Sequence, residues 1–294
     1  MVNTVPQLEV AYEQCRLITR REAKNFYYAF ITLPRKKRRA IYAAYAFCRL
    51  CDDATDKDIP TDEKLRLLAE LRWRLSTAYE GRPDGPVFTA LSHAASTFDI
   101  PEEYLQEVVS GVETDLTKTR YRDFGELRTY CYQVASVVGL ICIQIFGYSD
   151  PKAKEYAIDL GLAMQLTNIL RDVKEDLERD RIYLPLDDLR DFGYSTEELK
   201  GEEFNRNFRG LMEFEAQRAR QYFGSGFKLL PFLSPRSRAC PAVIGQIYSH
   251  ILDRIEARDF NVFDGRVSLS KREKYMVTAR TWMMSLLPTV STPT

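Results

Sequence analysis

The chain has 294 residues, of which 45% are apolar and 29% charged, with 42 basic side chains against 42 acidic ones. This composition fits a folded globular chain and excludes a disordered one. The zero net charge gives no basic field for a nucleic-acid partner, no unbroken apolar run reaches membrane-spanning length, and the stretch from Met1 to Val10 lacks the basic and apolar regions of a secretory signal.

Helical periodicity dominates. The segment from Arg35 to Cys51 is basic at first, then apolar at helical spacing through Ile41, Ala44, Tyr45 and Cys48. From Asp62 to Tyr79 the pattern recurs, with Leu65, Leu68, Leu71 and Leu75 on one side. The GRPDGP stretch at 81–86 reads as a loop. Pro101 opens a further helix, with Glu102 and Glu103 at its positive end. From Phe124 to Phe146 runs a long apolar segment whose Ala135, Ser136 and Gly139 permit close approach by a helix or a ligand. The region from Lys152 to Glu178 is helical again, and that from Glu202 to Leu230 is amphipathic. Pro231, Pro235 and Pro241 mark a turn before a helix from about Ala242 to Arg258. Strand patterns, linkers and nucleotide-binding fingerprints are missing from the sequence. A single all-α domain over 1–294, with roughly ten helices, is expected, and helical bundles place their sites between facing helices.

Of the six cysteines, Cys48 and Cys51 form a CxxC, but no second pair exists and the only histidines are His93 and His250. Buried reduced thiols are therefore expected rather than a zinc centre.

Two acidic stripes carry the chemistry. Asp52 and Asp56, four apart in CRLCDDATD, share a helix face and repel each other unless something neutralises them. Asp172 and Asp176 repeat the arrangement in NILRDVKED, extending a stripe that starts at Gln165 and Asn168 and can reach Asp180. Either stripe alone reads as a solvated acidic face. Both, however, end apolar helical runs, where a carboxylate is costly unless paired or metal-bound. If the two helices face each other, their oxygens line one rim. An oxygen-only donor set favours magnesium, which binds through few carboxylates and completes its shell with substrate phosphates. A phosphate-ester ligand is thus implied, with Arg49 and Arg171 beside the stripes, Lys24 before FYYAF, and Arg181 and Tyr183 after the second stripe; salt bridges to adjacent aspartates, or ordinary surface charge, are the plainer reading of the cations. The segment from Tyr130 to Gly139, YCYQVASVVG, offers apolar wall for a long hydrocarbon, or ordinary core.

In order and spacing, FYYAF, DDATD, YCYQVASVVG and NILRDVKEDLERDRIYLP resemble the squalene/phytoene synthase family, from about Arg16 to Arg266. The resemblance implies an all-α isoprenoid synthase fold with a central cavity and a core over about 16–280. It also implies head-to-head condensation of two prenyl diphosphates with two or three magnesium ions. Asp52, Asp56, Asn168, Asp172 and Asp176 become the metal-site residues, and Tyr130, Arg171 and Tyr248 stand near the reacting centre. Lys24, Asn25, Arg49, Arg181 and Arg266, with Gln165 and Tyr183, contact substrate, while Phe26, Val134 and Val138 form cavity wall. Three departures stand out: Ser136-Val137 for the family's Gly-Thr, Asp180 for a glycine before RIYLP, and Asn25 for a serine.

The same resemblance points to two farnesyl diphosphates as substrates, giving presqualene diphosphate and then squalene or hydroxysqualene. Phytoene from two geranylgeranyl diphosphates is the alternative. A head-to-tail prenyltransferase fits DDATD but not RDVKED or RIYLP. A non-catalytic prenyl-diphosphate-binding subunit would be expected to lack a metal-site aspartate, and none is lacking. NADPH has no fingerprint in the chain. A cytoplasmic location is expected, with loose attachment to the inner face of the membrane and partner enzymes of the same pathway. The apolar stretch from Trp282 to Val290 reads first as a partly packed tail.

Overall fold

The computed structural model describes residues 5–23 and 26–285. Lys24 and Asn25, both expected at the diphosphate, lie outside the described residues, as does the end of the Trp282 to Val290 stretch.

Helix α1 (Val5–Glu22) and the single turn α2 (Phe26–Phe30) precede α3 (Arg35–Thr55). Pro34, in extended conformation, sets the start of α3, because the residue ahead of the first turn needs no intrahelical N–H bond. The α3 core face is Ala40, Ile41, Ala44, Phe47 and Cys51, and its last turn carries Asp52 and Asp53. Helix α4 (Thr61–Tyr79) has Asp62 and Glu63 at its positive end and buries Leu68, Leu71 and Leu75. Helices α5 (Gly85–Phe98) and α6 (Glu102–Thr117) follow, and α6 buries Leu105, Val108, Val109 and Val112.

Helix α7 (Phe124–Cys131) is capped by Asp123, whose side chain accepts the Glu126 N–H at 3.0 Å. It continues through one π-helical turn, Tyr132–Ser136, into α8 (Val137–Phe146). This 23-residue rod is long and apolar enough to cross a membrane by length and composition, although no unbroken apolar run gave it away. Half of its most apolar stretch is buried in the fold, and Val134, Ala135, Val138, Gly139 and Cys142 line an internal cavity. Its apolar faces are thus spent on core and cavity.

Helix α9 (Ala153–Arg171) is the central element, packed on α7, α8, α13 and α14. It meets the π-turn backbone to backbone: a Cβ at Gly161 would lie 2.6 Å from the Ser136 Cα, and one at Gly139 would lie 2.8 Å from the Ala157 carbonyl oxygen. Only glycine allows that approach.

The expected helix from Lys152 to Glu178 is broken. Asp172 leaves helical geometry at φ −103°, ψ 16°, and a short α10 (Val173–Leu177) resumes beyond it. Then come α11 (Leu186–Asp191), α12 (Thr196–Lys200) and α13 (Arg206–Gly226), which is shorter than the amphipathic pattern suggested because Phe227–Phe232 tightens into a 3-10 segment. Helix α14 (Pro235–Ala257) starts seven residues before the expected Ala242. Pro235 occupies the first turn, where a missing N–H is harmless. Pro241 stays inside the helix despite a penalty of about 3 kcal/mol, and lines the cavity. Helix α15 (Lys271–Ser285) packs on α14 and α2, so Trp282 belongs to a helix rather than a tail.

Among the described residues fifteen α segments stand where roughly ten were expected, since pieces of five or six residues are too short to show a period. Among the described residues the only β pairings are isolated bridges, Arg120 with Ile182 and Tyr148 with Leu233. All six cysteines are free thiols.

Candidate active site

A cavity of about 360 Å³ lies between α3, the α7–α8 rod, α9 and α14. Asp52 and Ile41 both line it from α3, and Asn168 and Ala157 both line it from α9. Each pair is eleven positions apart, about 16 Å of helix. The polar end holds Asp52, Gln165, Asn168 and Tyr248; the far end holds Ile41, Phe146, Leu229 and Pro241. Phe26, Val134 and Val138 line the wall between. Near the mouth the Phe26 ring lies 6.3 Å from that of Tyr45 and 6.0 Å from that of Tyr248, with Phe30 stacked on Phe26 at 6.1 Å. Ring faces of this kind stabilise a nearby cation.

The first stripe divides between lumen and solvent. Asp52 faces the lumen, so water reaches it although protein surrounds it. Burial pushes its carboxyl up to about 7; Arg49 opposes the shift, and the charges of Asp56, Asp53 and Asp115 add to it. Asp56 is not part of the lining and stays exposed, 3.4 Å from Arg49, which also pairs with Asp53 at 2.5 Å. The Arg49 Nε is buried with no hydrogen-bond partner among the described residues.

The second stripe is reshaped by the break at Asp172. Arg171, itself buried, donates from Nε to the Asp172 carboxylate at 2.8 Å, and Arg266 donates to the same group at 2.8 and 3.1 Å. Burial raises the Asp172 carboxyl, but the two guanidinium groups outweigh it and hold the group below its ordinary range. Arg266 reaches this position because the loop before it is tied to α10: Lys174 donates to the Phe263 carbonyl at 3.0 Å. Asp176 has no such arginine fork. Burial, then the neighbouring Asp172, pushes it up to about 7.

Sequence reasoning missed Asp115. On the last turn of α6, its carboxylate accepts from the Tyr130 hydroxyl at 3.0 Å and the Tyr183 hydroxyl at 2.9 Å. Its carbonyl accepts from Arg181 at 2.9 Å. Burial raises its carboxyl, against Arg181 and the two hydroxyls. The rings of Tyr121, Tyr130 and Tyr183 stack at 5.3–5.7 Å. Tyr130 is 4% exposed and points at Asp115; it is not among the cavity-lining residues, and neither are Tyr183 and Arg181. The signal for Asp115 was available: like the stripes, it is a carboxylate at the end of an apolar helical run, here Val108, Val109 and Val112.

Among the described residues no three His, Cys, Asp or Glu side chains converge into a ready-made metal cluster. The donors nonetheless suit a hard cation that arrives with its own phosphate ligands. The Asn168 Oδ1 is buried without a partner among the described residues, while its amide nitrogen donates to Gln165 at 3.2 Å. Asp52 and Asp176 hold carboxyls that burial leaves short of positive charge. An orphan amide oxygen and two under-neutralised carboxylates are what a divalent ion would satisfy.

The sequence profile of the squalene/phytoene synthase family matches residues 19–273. Phytoene synthase from Arthrospira platensis is 37% identical over 279 residues, covering 90% of each chain. Phytoene synthase from Mycobacterium tuberculosis is 38% identical over 278 residues, 93% of this chain and 91% of that one. A dehydrosqualene synthase solved with a ligand superposes with a TM-score of 0.87 at 31% identity, over 95% of this chain and 98% of that one. Squalene synthase from Alicyclobacillus acidocaldarius superposes at 0.83 and 28%, over 88% and 97%. The fold is the isoprenoid synthase helical fold.

Proposed function

We infer the reaction from one premise: the chain belongs to the squalene/phytoene synthase family, prenyltransferase-type enzymes that join prenyl diphosphates head to head. The reading proposed for this chain is a magnesium-dependent condensation of two C15 diphosphates. The observation that carries it is the shared mouth: Asp52 and Asn168, from remote segments, line one polar end of an apolar cavity.

Asp52, Asp56, Asn168, Asp172 and Asp176 would hold the ions, which neutralise diphosphate and favour its departure. Arg49, whose Nε has no partner among the described residues, supplies positive charge beside the first stripe. The apolar walls keep water from the allylic cation left behind. Phe26, Tyr45 and Tyr248 present ring faces to that cation. The C2–C3 double bond of the second substrate then attacks the cation, a carbon–carbon bond forms, and loss of one proton closes a cyclopropane. The released diphosphate or a tyrosine hydroxyl takes that proton.

The span of α3 that lines the cavity supports the C15 reading. An extended prenyl chain advances about 5 Å per five-carbon unit, from carbon–carbon bonds of ~1.5 Å. The 16 Å or so between Asp52 and Ile41 therefore suits C15, whereas C20 would need about 5 Å more. The 37–38% identity to phytoene synthases favours a second reading, two C20 substrates.

The exposed Tyr275, Met276, Trp282 and Met283 of α15, with Lys271, Arg272 and Arg280, are the surface on which loose attachment to an anionic membrane is proposed. Product mass analysis after incubation with Mg²⁺ and C15 or C20 diphosphate, with and without NADPH, tests the proposal. A C30 product is expected, a C40 product would favour the second reading, and no turnover of either would contradict both.

A further inference from the structure

Asp115 belongs neither to the cavity lining nor to the two stripes, yet it touches three residues that tie the loop after Asp176 to α6. Its two carboxylate oxygens are each taken by one buried tyrosine hydroxyl, and its carbonyl by Arg181. Around it the 119–122 segment is pinned to the loop after α10. Ile182 N–H donates to the Thr119 carbonyl at 2.9 Å, and Leu186 N–H donates to that of Tyr121 at 2.9 Å. That loop leaves directly from Asp176, whose carbonyl accepts the Arg181 N–H at 2.9 Å. The charge of Asp115 also acts on both Asp52 and Asp176.

We propose that Asp115 is a positioning residue for the ion-binding end of the site: through Tyr130, Tyr183 and Arg181 it holds the Asp176 loop against α6, and its charge acts on an aspartate of each stripe. A carboxylate is suited to this role because it accepts two phenol hydrogen bonds at once and keeps a negative charge while doing so. The charge deepens the well into which divalent ions fall, and the two bonds fix where that well lies relative to Asp52. Outer residues that orient metal ligands typically change metal affinity by about 10–100-fold when altered.

This inference rests on the proposed magnesium–diphosphate chemistry, and calorimetry separates the two. Mn²⁺ is titrated into the full-length protein in saturating inorganic diphosphate. No binding by the unaltered protein would overturn the magnesium reading itself. With that binding present, Asp115→Asn should weaken Mn²⁺ affinity by about 10–100-fold. Leu105→Ala, fully buried at the other end of α6, lowers the melting temperature and serves as the control for general loosening. A folded Asp115→Asn protein with unchanged affinity, or an equal loss in Leu105→Ala, overturns the positioning role. Should Asp115→Asn fail to fold, Tyr130→Phe/Tyr183→Phe decides: it keeps the charge but frees the carboxylate. It should also weaken Mn²⁺ binding, and unchanged affinity there overturns the proposal.

Discussion

Replacing Gly161 by alanine tests the link between helix packing and catalysis. The added Cβ would lie 2.6 Å from the Ser136 Cα, 2.8 Å from its nitrogen and 2.9 Å from the Ala135 oxygen. All three are backbone atoms, so no side chain can rotate away. Restoring ordinary contact requires α9 and the π-turn to part by about 1 Å, an overpacking that typically costs 1–3 kcal/mol. The melting temperature should fall by roughly 2–4 °C for each kcal/mol. Gln165 and Asn168 ride on α9 one and two turns beyond Gly161, opposite Val134 on the π-turn. Displacing them by this distance should reduce turnover by about 100-fold. Gly224→Ala is the internal control: nothing lies within 4 Å of its Cβ position, so it should stabilise α13 by about 0.5–1 kcal/mol and leave turnover unchanged. Thermal denaturation and diphosphate release measure both effects. A Gly161→Ala enzyme with unaltered melting temperature and full turnover would refute the reasoning.

Stability should depend on pH through Asp52 and Asp176, each raised from 3.8 to about 7. A raised folded-state value means the folded protein holds protons that the unfolded chain gives up, so this stability is full below about pH 4 and lost as pH rises to 7. The metal-free protein should therefore melt progressively lower across that window. Asp52→Asn with Asp176→Asn should leave only the share owed to buried Asp115 and Glu215, both raised by burial, Glu215 to about 8, and an undiminished fall would contradict this. Arg266→Gln removes one of two guanidinium partners from Asp172, so the acid limb of the activity profile should move to higher pH while stability changes by less than about 1 kcal/mol; an unmoved limb argues against the pair's role. Ile41→Ala opens the far end of the cavity and should raise C20 use relative to C15 by roughly 10-fold or more, at a stability loss of about 2–5 kcal/mol. An unchanged C20 to C15 ratio would show that depth is set elsewhere.

Periodic features were legible in the sequence. The four-residue spacing of Asp52 and Asp56, the apolar runs before both stripes and the small residues near Ser136 all follow from helical repeat and local composition. What stayed hidden depends on partners remote in sequence. The turn of Asp172 out of α9 accompanies its capture by Arg266, 94 positions away, and no local propensity encodes that pairing. Pro241 reads as a breaker but is carried inside α14, where surrounding packing holds the helix. Asp180, where the family resemblance implied a glycine, sits at φ 52° in the left-handed region, as a glycine would suggest. Its side chain pairs with Arg120 at 2.6 Å and Lys200 at 3.6 Å. Tyr130 was expected near the reacting centre, and its hydroxyl instead serves Asp115, a contact between helices that the YCYQVASVVG motif alone cannot show.

The most direct test of the account is anomalous scattering from crystals grown with Mn²⁺ and a non-ionisable C15 thiodiphosphate. Ions bridging the diphosphate to Asp52 on one side and to Asn168, Asp172 and Asp176 on the other, with the chain running toward Ile41, are the predicted result. Ions bound elsewhere, or a hydrocarbon lying outside the cavity, would contradict it.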